Sequence, residues 1–243
     1  MKKQFYIGCS GFAYHQWQDE FYPEGILSSE RLSFYSGKFK TVEINSTFYH
    51  YPKAATLQKL YDTTPEDFRF TLKVGKKITH ILRLKNTQQD IIKFQEHAKS
   101  ILKEKLIHFL FQLPPSYSYS EENLQRVLEA IPHNEENVVE FRHVSWWNDE
   151  TFKRLKEAGI TFCNVDYPKL PKEFHLTTPR FYMRLHGYPV LFKSDYSGAF
   201  LENMAKQLPY CEHYTFYFNN TMTNSAWNNA LDLIEILNSG SNE

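Results

Sequence analysis

Two glutamates, two arginines, a lysine and a histidine close short extended runs that are far apart in the chain: Glu43, Glu140, Arg142, Arg184, Lys73 and His186. If one cavity gathers them, Glu43 and Glu140 are the natural general acid and base, with His186 as a third group able to move a proton. Arg142 and Arg184 admit a second reading, in which they neutralise the same two carboxylates as a structural ion-pair network, because buried carboxylates are normally paired. Lys73, Arg142, His143, Arg184 and His186 together point to an anionic ligand, since a guanidinium fork matches carboxylate and phosphate oxygens. Ser10, Asn45, Gln112, Asp166, Asn219 and Asn220 add hydroxyl, amide and carboxylate groups at equivalent run ends, and all are candidate ligand contacts. The loop from Asn219 leads into a helical pattern whose first N–H groups could cradle a phosphate. Asn219 and Asn220 could equally tie that loop to its neighbours.

Eight runs of β type carry these groups, over residues 5–10, 41–45, 68–73, 108–113, 138–142, 160–166, 181–186 and 214–220. Along each, apolar side chains alternate with the others: Ile7 and Cys9, Val42 and Ile44, Phe70 and Leu72, Phe109 and Phe111, Val139 and Phe141, Cys163 and Val165, Met183 and Leu185, Phe216 and Phe218. This face is expected to lie under helices. The opposite parity holds the polar groups, with Asn164 beside Asp166, and would converge on one mouth. Helical spacing appears between the runs, over 28–38, 55–62, 86–105, 120–131, 148–159, 198–208 and 224–237. The stretch after the sixth run, with Pro168, Pro171 and Pro179, predicts an irregular crossover. Such a sequence of elements predicts a TIM-like (β/α)8 parallel barrel; a doubly wound open sheet shares the grammar but does not call for eight strands. One domain over 1–237 and a frayed tail over 238–243 complete the expectation.

The 28 cationic and 28 anionic side chains cancel, so no global field holds the chain on nucleic acid or an anionic membrane. Three scattered cysteines and the absence of an apolar leader in MKKQFYIGCSGF lead to the expectation of a soluble cytoplasmic protein without membrane association. Local binding of nucleic acid is a further reading. Lys76, Lys77, His80 and Arg83 form a basic loop, and Trp17, Phe48, Tyr49, Trp146 and Trp147 could stack on bases or simply roof the barrel. Glu43, Glu140, Asp166 and His186 could assemble a metal site, but nothing in their spacing demands one and the arginines would compete, so no metal ligand is assigned. Paired carboxylates and tryptophans would also suit a glycoside, although the arginines then lack a role. Cys9 reads as a small core residue, and Ser10 has no histidine and aspartate arrangement to make it a nucleophile.

In order along the chain stand GCSGFAYHQW with FYP, VEINSTFYHYP, FRFTLKVGKKITH, FQLPPS, VVEFRHVSWW, RLHG, and YFNNT with a later NNA. This combination resembles the YecE-like family, a bacterial and archaeal family of unknown function, over nearly the whole length. The resemblance implies a TIM-like barrel and a shared polar pocket, and it supplies no reaction or cofactor. Taken with the residues above, the expectation is a polar pocket for a small phosphate-bearing anion, with hydrolysis or lysis as its chemistry. The number of subunits is not encoded in any of these features.

Overall fold

The computed structural model describes residues 3–239. Eight strands run parallel: β1 Gln4–Cys9, β2 Thr41–Ile44, β3 Arg69–Lys73, β4 Leu106–Gln112, β5 Asn137–Glu140, β6 Thr161–Asp166, β7 Arg180–Leu185 and β8 His213–Phe218. Each pairs with its chain neighbour from β2 through to β8, and β8 pairs with β1. Between them lie α1 Arg31–Lys38, α2 Ser46–Tyr49, α3 Ala54–Thr63, α4 Gln88–Leu102, α5 Glu121–Ala130, α6 Asp149–Ala158, α7 Gly198–Lys206 and α8 Ser225–Ser239. The expected barrel is the one observed. No helix separates β6 from β7, where the prolines stand. The chain is still helical at Asn238 and Ser239, two residues expected to fray, while 240–243 lie outside the described residues.

The seam between β1 and β2 closes the barrel by other means than a full ladder. One parallel bridge joins Ser10 to Glu43. Below it the Tyr35 hydroxyl of α1 accepts from the Cys9 N–H at 2.8 Å and donates to the Thr41 carbonyl at 3.1 Å. One phenol thus takes the place of a backbone hydrogen bond. Gly8 permits this approach, because a Cβ there would fall 2.2 Å from the Thr41 carbonyl oxygen.

Outside the strands, Ile7, Val42, Phe70, Phe109, Val139, Phe181 and Phe216 pack with the helices into the main core, as the alternation predicts. Inside, a second cluster of Leu110, Val138, Cys163, Val165, Tyr182 and Tyr217 fills the lumen. Strand β6 therefore has the opposite parity to that expected. Cys163 and Val165 point inward, while Asn164 turns out to hold the irregular crossover, accepting from the His175 N–H at 2.8 Å and donating to its carbonyl at 3.1 Å. A crossover without a helix leaves backbone groups that need partners, and the outward asparagine supplies them.

Helix ends follow their sequence signals. Ser120 and Asn148 accept from the N–H groups of Asn123 and Thr151, and Gly159 ends α6 in the left-handed region at φ 64°. Helix α4 holds the whole apolar stripe but is shorter than the expected span of 86–105, because Asn86 and Lys103 have positive φ at its two ends. Among the described residues, no helix is long and apolar enough to cross a membrane.

Candidate active site at the barrel mouth

Arg184 lies on the inward parity of β7 and is 1% exposed, so its charge must be met within the lumen. It donates to Glu43 Oε1 at 2.6 Å and to Glu140 Oε2 at 2.7 Å, spanning the barrel from β2 to β5. Tyr182, two residues earlier on the same face, donates its hydroxyl to Glu43 Oε2 at 2.9 Å. The Ser10 hydroxyl lies 3.4 Å from Arg184 Nη2. Arg142, just beyond β5, donates through Nε to Glu140 Oε1, and its guanidinium lies 4.2 Å over the Tyr167 ring. Every carboxylate oxygen of Glu43 and Glu140 is thereby taken.

His186 completes the chain of contacts. Its Nε2 lies 2.6 Å from Arg142 Nη2 and 3.1 Å from Arg184 Nη1. A guanidinium can only donate, so Nε2 holds the lone pair and Nδ1 carries the proton. Burial, together with Arg142 and Arg184, keeps the ring well below its ordinary pKa and hence neutral. For Glu140, burial pushes the carboxyl up, and the charges of Arg142 and Arg184 outweigh it, so the group stays well below the usual carboxylate range. Neither residue is poised near neutral pH. The pairing of Glu43 and Glu140 is the ion-pair network that the sequence left open beside the acid and base reading.

Lys73 is different. Its ammonium, at the end of β3, donates to Gln112 Oε1 at 2.9 Å and lies 4.2 Å over the Phe48 ring. Among the described residues no carboxylate oxygen lies within 4.0 Å of it. Burial, with Arg184 adding repulsion, pushes it down to about 8. Phe48 is placed there by α2, a short helix missed in the sequence; Thr47 Oγ1 sits 3.0 Å from the Ile44 carbonyl and 2.7 Å from that of Lys73, fixing the turn across β2 and β3. Gln112 Nε2 lies 3.5 Å from His80 Nε2, and burial and Lys73 push that imidazole down to about 4.

The other candidates separate. The Asn45 side-chain oxygen is buried without a hydrogen-bond partner among the described residues, and Asn219 is half-buried beyond β8. His143 accepts from the Ser145 N–H and caps a short turn rather than facing the cluster. Asp166 is on the outward parity, accepting from the Tyr196 hydroxyl at 2.6 Å with Lys172 3.3 Å away. Asn220 donates to Ser194 and Asn229, and Asn229 in turn holds both the N–H and the carbonyl of Tyr196. Asp166 and Asn220 thus fasten the β7–α7 loop, the tethering role that was the alternative for Asn220. Trp17 and Trp146 are wholly buried and cannot stack on a ligand. Among the described residues no three His, Cys, Asp or Glu side chains gather as a metal site, and Cys9 is a core thiol that burial pushes up.

Tyr182, Tyr167 and Asn229 were not singled out from the sequence, and Phe48 was read there only as a ring to stack on bases or roof the barrel. For Tyr182 the signal was present, since it shares the parity of Arg184 and His186 in RFYMRLH. Tyr167 follows a strand end, where alternation has already stopped.

The same arrangement of elements occurs in solved structures. A DUF72 family protein from Thermotoga maritima MSB8 superposes with a TM-score of 0.82 at 30% sequence identity, covering 97% of this chain and 99% of that one. UPF0759 protein YunF of Bacillus subtilis strain 168 is 25% identical, covering 96% of this chain and 94% of its own length. UPF0759 protein YecE of Escherichia coli K12 is 29% identical over 66% of this chain and 58% of its own length. Residues 6–243 match the family described as protein of unknown function DUF72, and with so much of the chain matched, this barrel belongs to that family.

Proposed function

We propose that the barrel mouth binds a small phosphate-bearing anion between Lys73 and Arg142. The observation that carries this reading is the Lys73 ammonium, a poorly hydrated cation whose neighbours are an amide and an aromatic ring instead of a carboxylate. An anion seated there would replace the missing countercharge. Arg142 is engaged through Nε and Nη2, which leaves Nη1 for a further acceptor. Glu43 and Glu140 then act as positioning groups that hold the guanidiniums rigid, and Asn45 and Asn219 are the amides available to the ligand. If the ligand is hydrolysed or lysed, Lys73 is the group with a proton to exchange near neutrality, since Glu140 and His186 are held away from it.

Titration calorimetry with inorganic phosphate and with glycerol phosphate tests the assignment. Only the ammonium form attracts the anion, so affinity should be greatest below pH 8 and fall as pH rises through about 8, approaching about tenfold per pH unit. Lys73→Met should weaken binding about tenfold or more and flatten that profile. Affinity that is flat from pH 7 to 9.5 and indifferent to Lys73→Met would refute the reading.

A further inference from the structure

Beside the mouth, lined in part by Phe48, lies a groove of about 630 Å³ whose lining includes neither Lys73 nor Arg142. Its walls come from three segments: α2 with the residues after it, the loop after β3, and the first two turns of α4. Volumes of this order are typical of small-ligand sites.

Two properties of the lining specify an occupant. The first is aromatic. Tyr49 is 70% exposed and meets Phe48 edge to face, at 5.1 Å and 88°. Tyr51, 61% exposed, is braced on its other side by stacking on His97 at 5.3 Å. Large exposed rings on a groove wall offer a stacking surface for a planar ligand. The second is charge. Lys76, Lys77 and Lys93 line the groove against one carboxylate, Asp90, which leaves two positive charges, and all three lysines are exposed with no ion pair among the described residues. A phosphomonoester carries about −1.5 to −2 at neutral pH and would balance them. A chain with no net charge offers a long polyanion no general attraction, so a compact ligand is favoured over a nucleic-acid strand.

The wall carrying two of these lysines is also built from costly backbone. Residues Lys77–Ile81 form a π-type turn, closed by the Leu82 N–H donating to the Lys77 carbonyl at 2.9 Å. Arg83, Leu84 and Asn86 then follow in the left-handed region at φ 49°, 64° and 56°. Such turns and strained positions concentrate at sites of function, because packing alone is satisfied more cheaply. Ile78 and Leu84 are buried and hold the wall from beneath, leaving the lysines to face outward.

We propose that this groove binds a nucleoside monophosphate, with the base stacked on Tyr49 and the phosphate held by Lys76, Lys77 and Lys93. The site adjoins the mouth through Phe48 but is separate from it, so the two assignments can fail independently.

Titration calorimetry on the intact chain with adenosine 5′-monophosphate tests this, with adenosine, inorganic phosphate and a ten-residue oligothymidylate as comparisons. The monophosphate should bind saturably and at least about tenfold more tightly than adenosine or phosphate alone. Tyr49→Ala should weaken it about fivefold or more, and the double change Lys76→Ala with Lys77→Ala about tenfold. These residues are exposed, and unchanged circular dichroism would show that the fold persists. Lys73→Met should leave the monophosphate affinity within about twofold of the unaltered chain, because the mouth is not the site. Absence of saturable binding, or binding that survives the groove substitutions and disappears with Lys73→Met, overturns the assignment. So does an oligothymidylate affinity that exceeds that of the monophosphate and falls steeply with salt.

Discussion

Arg184 is tolerated in the lumen only because two carboxylates meet it, and the dependence is mutual. Burial would push its proton off, and Glu140 and Glu43 outweigh that cost and hold the guanidinium charged. Arg184→Met would strand both carboxylates, so a loss of about 3–5 kcal/mol of stability is expected in urea unfolding at pH 7. The folded-state pKa of Glu140 is depressed, so its stabilisation is present above the unfolded value of about 4.3 and is lost as pH falls below it. The unaltered and Arg184→Met chains should therefore converge in stability on acidification below about pH 4; a constant gap down to pH 3 would contradict the ion-pair account. His186 gives a spectroscopic test. With Nε2 facing two guanidiniums, it should remain the neutral Nδ1–H tautomer from pH 5 to 8 in nitrogen-edited NMR. A histidine that titrates in that range would restore the acid and base role expected from the sequence.

At the scale of elements, closure of the barrel concentrates in one hydroxyl. Tyr35→Phe keeps the ring packing with Phe39 and Phe68 but leaves the Cys9 N–H and the Thr41 carbonyl facing each other unbridged in a buried seam. A loss of about 1–3 kcal/mol is expected, read as a lowered urea midpoint with an unchanged slope. Most strands and helices were legible in the sequence, because a strand with one face under helices must alternate and a helix must cap its free N–H groups. Strand β6 was the exception. Its outward Asn164 answers to a backbone thirteen residues long without a helix, a partner that no local period reveals. Helix α2 was missed for a related reason: with four residues it has no periodicity to read, and Thr47 holds it through bonds to two strands.

For the whole molecule, we expect one cooperative unit. Trp17 is buried near α8, where its indole donates to the Thr223 carbonyl, and Trp146 is buried beyond β5, stacked on Phe141 and donating to Tyr117. With Trp147 and Trp227 they make four reporters, placed in different parts of the chain. If residues up to α8 fold together, tryptophan fluorescence and far-ultraviolet circular dichroism should give superimposable urea transitions; two separated midpoints would divide the chain into independent parts.

What the amino-acid order determined by itself was the barrel and the roster of polar groups at its strand ends, because alternation, capping and turn chemistry act over a few residues. The tertiary structure alone decided how those groups spend their hydrogen-bonding capacity. Glu43, Glu140, Arg142, Arg184 and His186 consume one another's capacity, while Lys73 is left with an amide and a phenyl ring. The physical reason is that pairing energy depends on distance and burial across the lumen. Both are properties of a closed sheet and of no single strand.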